Sequence, residues 1–106
     1  MKVFCSSEAE EIFRAGKSTG HLVAQTSAAD VVVLGLAPGD RIPPHALDIP
    51  VLFAVAEGSA VLSAGEESCE LAAGDVAEVP PGELREWTNT TDEPCRIFVM
   101  KGKASA

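Results

Sequence analysis

Positive charge is scarce in this chain. Eight lysines and arginines stand against sixteen aspartates and glutamates, a formal net charge of −8. The few cations are scattered and form no basic stripe, so nucleic acid and anionic membrane surfaces are poor partners, and the acidity fits solubility in a cytoplasm. Long apolar runs are missing as well: no uncharged hydrophobic stretch approaches the roughly 18 residues that a membrane-spanning helix needs. Lys2 is followed by Glu8, Glu10 and Glu11 where a secretory signal would carry its apolar segment, and a cytoplasmic location is expected. Cysteine is sparse too. Cys5, Cys69 and Cys95 are odd in number, far apart and without a Cys-x-x-Cys pair, which argues against a disulfide framework or a zinc ribbon and predicts small buried thiols.

Helix signals are confined to the N-terminus. Ser7 stands three residues before Glu10 as a capping box, Ala9, Ile12 and Phe13 fall on one side, and Gly16 supplies a stop. A short amphipathic helix covering the end or open edge of a sheet is expected there. Downstream the pattern is that of strands: His21 to Ser27, Asp30 to Leu36, Ile49 to Glu57, Val61 to Ala64, Ser68 to Leu71 and Arg96 to Met100. Gly and Pro interrupt them about every ten residues, which describes a sandwich or barrel of short strands. No linker or internal repeat divides the chain, and only the tail Lys101 to Ala106 reads as disordered.

The most regular stretch is Gly74 to Asn89, GDVAEVPPGELREWTN. A turn glycine leads into a short alternating strand, Pro80-Pro81-Gly82 makes a corner, and a second strand carries Arg85, Trp87 and Asn89 on one face. The spacing Gly74, Pro80, Gly82, Arg85, Asn89 resembles the second motif of the cupin family, with Arg85 where the family has a metal-binding histidine. Upstream, the first motif can be laid over Gly39, His45, Leu47, Val51 and Gly58. There Leu47 replaces a second histidine and Val51 a glutamate. The resemblance spans residues 39–89, about half of the chain. It implies an all-β cupin jelly-roll barrel forming one domain over residues 1–106, to which the N-terminal helix would be added. By likeness to small cupins it also implies a homodimer, formed by sheet packing or by exchange of an N-terminal strand.

In the family the four replaced or retained positions surround a divalent iron, manganese, nickel or zinc ion. Only His45 keeps a ligand here. A site of this kind needs about three protein ligands, and the guanidinium of Arg85 has no lone pair to donate, so no metal and no cofactor are expected. A rebuilt metal site would have to recruit His21, Asp48 or Cys69.

Strand alternation instead places His45, Leu47, Val51, Phe53, Arg85 and Trp87 around one pocket, mostly apolar with one cationic spot. Arg85 anchors the carboxylate or phosphate of a small ligand, or else pairs with Glu78 or Glu83, or lies at the barrel mouth. His45 hydrogen-bonds a ligand or acts as a general base, or is satisfied by a backbone carbonyl. Trp87 is a stacking wall, a core residue or a dimer contact. No catalytic constellation is evident. The leading expectation is a metal-free cupin, a sensor or accessory protein, that binds a small molecule, with an anion favoured by Arg85. The alternatives are a cupin enzyme, either a metal-dependent dioxygenase or isomerase on a rebuilt site or a metal-independent isomerase or epimerase using His45, and a dimerisation or interaction domain without a ligand.

Overall fold

The computed structural model describes residues 1–103. Ten strands follow one another: β1 (Glu10–Ala15), β2 (Ser18–Gln25), β3 (Ala29–Leu36), β4 (Arg41–His45), β5 (Val51–Glu57), β6 (Ser59–Ala64), β7 (Glu67–Ala72), β8 (Val76–Val79), β9 (Arg85–Thr88) and β10 (Cys95–Gly102). They form two antiparallel sheets, a larger one ordered β1-β2-β3-β10-β5-β8 and a smaller one ordered β4-β9-β6-β7. No ladder joins the sheets, so the expected barrel is a jelly-roll sandwich with two open seams, one bounded by the edge strands β1 and β4 and the other by β7 and β8. Among the described residues no helix is long and apolar enough to cross a membrane.

The core lies between the sheets and follows the period of two along each strand. Val51, Phe53 and Val55 of β5 and Ile97 and Val99 of β10 face Ala60, Leu62, Leu71 and Trp87 of the smaller sheet. Burying each large aliphatic side chain in this set contributes about 1.5–3 kcal/mol.

Two turns tie the sandwich together. The side chain of Asn89 is buried and donates from Nδ2 to the carbonyls of Leu36 (3.1 Å) and Glu93 (2.8 Å), while Oδ1 accepts from the amide (2.9 Å) and hydroxyl (2.7 Å) of Thr91. Its backbone exchanges hydrogen bonds with the Pro38-Gly39 turn: the Gly39 amide donates to its carbonyl and its amide donates to the Asp40 carbonyl, both at 2.9 Å. The first and last anchors of the two motifs are thus fastened to each other. Gly58, between β5 and β6, has φ 74°, and a Cβ there would collide with the carbonyl oxygen of Pro94, so the close approach of these two loops requires glycine.

The N-terminal helix is not found. Ser6–Glu8 form a single 3-10 turn without a side-chain cap, and Glu10–Ala15 are strand β1. A bulge between Glu11 and Phe13 makes Ile12 the extra residue, which mimics helical spacing, and Gly16, with φ 61°, is the turn of the β1–β2 hairpin. Hairpin pairing with β2 across the Gly16 turn outweighs the capping signal. The tail is shorter than expected: Lys101 and Gly102 continue β10 by pairing with Asp30 and Ala29 of β3, and Ala104 to Ala106 lie outside the described residues.

Only one cysteine is buried. Cys95 sits in the core, where desolvation raises its thiol pKa, whereas Cys5 and Cys69 are exposed. Brief treatment of the folded protein with iodoacetamide at pH 8 should alkylate Cys5 and Cys69, with Cys95 modified only after denaturation. Peptide mass spectrometry reads the result, and comparable native labelling of Cys95 would contradict this packing.

Candidate functional site

Strand β9 carries the site. Its pleat sends Arg85 and Trp87 inward from the smaller sheet, and register supplies their neighbours: β4 sets His45 opposite Arg85 and Ile42 opposite Trp87, while β6 sets Ala64 and Leu62 on the other side. The ladder between β4 and β9 is irregular from Ile42 to His45, because Pro43 and Pro44 have no amide to donate. That interruption keeps β4 at the sheet edge and leaves the seam beside β1 open.

A cavity of about 300 Å³ occupies this seam. Phe53, Arg85 and Trp87 line its interior, His45 stands exposed on its rim, and Ile12 and Phe13 of β1 cover the opposite side. Lys101 also borders the cavity, from β10 of the larger sheet.

Arg85 is only 6% exposed, yet among the described residues no acid pairs with it. Among the described residues Arg14, Arg41 and Arg96 sit by Glu11, Glu86 and Glu57, while Glu78 and Glu83, the partners open to Arg85 on sequence grounds, form no ion pair with it. Nη1 of Arg85 is buried without a hydrogen-bond partner, and the guanidinium carbon lies 5.6 Å from the centroid of the Phe53 ring. Burial without a compensating anion pulls its pKa below the usual guanidinium value. The group nevertheless keeps its proton at neutral pH.

Trp87, 2% exposed, meets Phe53 edge to face with centroids 5.5 Å apart, and its Nε1 is likewise buried without a partner. Buried donors ordinarily find acceptors, and leaving one unmatched costs about 1–3 kcal/mol. The two residues that carry these donors stand two apart on one strand face, and both line the cavity.

Of the sequence-derived pocket residues, the cavity gathers His45, Phe53, Arg85 and Trp87. Leu47 and Val51 are elsewhere: Val51 is fully buried in the core and Leu47 packs against the core, so neither borders the cavity. Leu47 lies in the loop between β4 and β5, and Val51, though in phase with Phe53, stands two residues before it on β5, in the core away from the cavity. Ile12, Phe13 and Lys101 were not legible as site residues, because β1 reads as helix and Lys101 as tail. The inward series Ile97, Val99, Lys101 is the signal that marks Lys101.

The donor set does not fit a divalent metal. Among the described residues no three His, Cys, Asp or Glu side chains gather to hold an ion, and His21, Asp48 and Cys69 do not border this cavity. The opposite seam holds a second cleft of about 330 Å³ rimmed by Glu67, Glu70, Asp75 and Glu78. It has the wrong sign for an anion and lacks any of the unpaired buried donors.

The comparisons agree with this architecture. A family model described as a cupin domain matches residues 32–101. No curated protein is detectably similar in sequence. Among solved structures, KdgF from a Halomonas species superposes with a TM-score of 0.81 at 16% identity, covering 99% of this chain and 96% of that one. The polyketide cyclase RemF from Streptomyces resistomycificus gives a TM-score of 0.83 at 20% identity over 96% of this chain and 79% of that one. A predicted oxalate decarboxylase from Thermotoga maritima gives 0.83 at 19% identity, covering 97% of this chain and all, 100%, of that one. At these identities the structures show a shared fold and nothing about chemistry, but the family match spans most of the strands described above: the chain belongs to the cupin family.

Proposed function

We propose that this cupin binds a small anionic molecule in the cavity between β1 and β4, without a metal, and that Arg85 is the anchor. The observation that carries the reading is the buried, unpaired guanidinium beside the unpaired Nε1 of Trp87. A guanidinium offers parallel N–H donors that match a carboxylate or phosphate, and an anion placed in the cavity would supply the missing counter-charge. Phe53 and Trp87 give the ligand body apolar walls, and a volume near the lower end of the usual ~300–1,000 Å³ range suits a small molecule. Binding is favoured over catalysis because no Asp or Glu lines the cavity to orient His45 as a base. A sensor or accessory role follows from that balance.

Thermal-shift titration tests it with benzoate, its neutral analogue benzamide, and inorganic phosphate. At least one anion is expected to raise the midpoint, and benzamide to leave it unchanged. Equal responses to benzoate and benzamide, or none to either anion, would count against the reading. Near-stoichiometric metal in protein purified without chelator would do the same for its metal-free part.

A further inference from the structure

We infer that the ligand is a dianion, specifically a small dicarboxylate, held between Arg85 on the smaller sheet and Lys101 on the larger one; this rests on the anion-binding reading above. The chain has sixteen acidic residues and eight lysines and arginines, yet none of the sixteen acids borders the cavity among the described residues and two of those eight cations do. They approach from opposite walls. Arg85 is on β9, whereas Lys101 extends the inward row of β10 beyond Ile97 and Val99. Facing sheets stand roughly 10 Å apart, a gap that long basic side chains from both sides close upon one short molecule.

Lys101 has no acid of its own. Its ladder neighbour is Asp30, and the ammonium of Lys103 pairs with that carboxylate at 3.0 Å. Among the described residues no ion pair is formed by Lys101. The two cations differ in kind: Arg85 is buried in the cavity interior with Phe53 and Trp87, while Lys101 is half-buried at its border. One carboxylate therefore goes deep to the guanidinium, and the second stays near the ammonium, where part of its hydration is kept. A monocarboxylate satisfies only the first. A phosphate monoester concentrates its charge on one centre and reaches only one wall.

Calorimetric titration at low salt with matched pairs tests this: butanoate against succinate, pentanoate against glutarate, and benzoate against phthalate. At least one dicarboxylate should bind about tenfold more tightly than its partner, the scale of one charge-assisted hydrogen bond. Lys101→Met should weaken the dicarboxylate by a clearly larger factor than its monocarboxylate partner and so remove most of that advantage, and Lys101→Arg should keep it. Lys101 is not a core residue, so the substitutions leave the fold intact. Equal affinities within every pair in the native protein, or a Lys101→Met loss of the same factor for both members of a pair, would overturn the dicarboxylate assignment while Arg85 still anchors an anion. Absence of binding by either member, in the native protein as in Arg85→Met, would instead overturn the anion reading and the dicarboxylate with it.

Discussion

Arg85→Met is expected to raise the thermal midpoint of the unliganded protein while removing its response to anions. The guanidinium is 6% exposed and has no acid partner, so in the unliganded state the fold carries a charge taken from water without compensation. Methionine keeps an unbranched stem of similar reach and packs against Phe53 without that cost. The lost cation–π contact with Phe53, worth up to about 2 kcal/mol at a desolvated site, offsets part of the gain. A net stabilisation of roughly 1–2 kcal/mol remains, by comparison with buried charges replaced by apolar residues. At about 4–8 °C per kcal/mol for a domain of this size, differential scanning calorimetry resolves it.

The sign of the pH dependence separates this account from a hidden salt bridge. Burial lowers the folded-state pKa of Arg85 below its unfolded value, so the folded state holds that proton less tightly. Both states are protonated throughout the neutral range, and the cost is therefore constant there. It fades only as pH rises through the lowered pKa, far on the alkaline side. The stability difference between Arg85→Met and the native protein should be flat from pH 5 to 8. A hidden carboxylate partner would give a difference that changes sign or size as that acid titrates. A lower midpoint in Arg85→Met with anion binding retained would mean that Arg85 serves the fold and not the site.

How much of this was legible beforehand depends on whether a residue's own backbone preference decides the outcome or its pairing partner does. The corners were: Gly39, Gly58, Gly74 and Gly82 all have positive φ, and the sequence marks them because no other residue accepts that backbone so readily. The inward phase of Arg85 and Trp87 was legible for the same reason, since the Pro80-Pro81-Gly82 corner sets the alternation of β9. What was not legible depends on which strand a segment pairs with. Ser7 and Glu10 satisfy the local rule for a helix start, yet Glu10–Ala15 pair with β2, and the bulge at Ile12 reproduces helical spacing within a strand. Whether Arg85 is paired could not be read from Glu78 and Glu83, because their place relative to β9 is set by the sheets. Lys101 was hidden by position: near a terminus, a lysine in phase with Ile97 and Val99 looks like the beginning of a solvated tail until β3 is found alongside it.

Asn89→Ala tests the other half of the architecture, and its expected effect is large and opposite in sign. The amide of Asn89 makes four hydrogen bonds, two donated to Leu36 and Glu93 and two accepted from Thr91. Alanine leaves the Leu36 carbonyl facing a buried gap and frees the turn that brings β10 back between β3 and β5. An unsatisfied buried acceptor costs about 1–3 kcal/mol, and loss of the turn contacts brings the total to roughly 3 kcal/mol. The midpoint should fall by more than about 10 °C. Asn89→Asp should be no better than alanine: it retains the acceptor for Thr91 but directs a carboxylate at two carbonyl oxygens, and that outcome assigns the effect to the Nδ2 donor. A change in unfolding free energy within about 0.5 kcal/mol of the native protein, the scale of an ordinary surface substitution, would remove Asn89 from this role. Because its side chain does not border the cavity, anion affinity measured well below the lowered midpoint should be close to native. Together with Arg85→Met, this places stability and binding on two residues four positions apart in one motif, one kept for the fold and the other held against it.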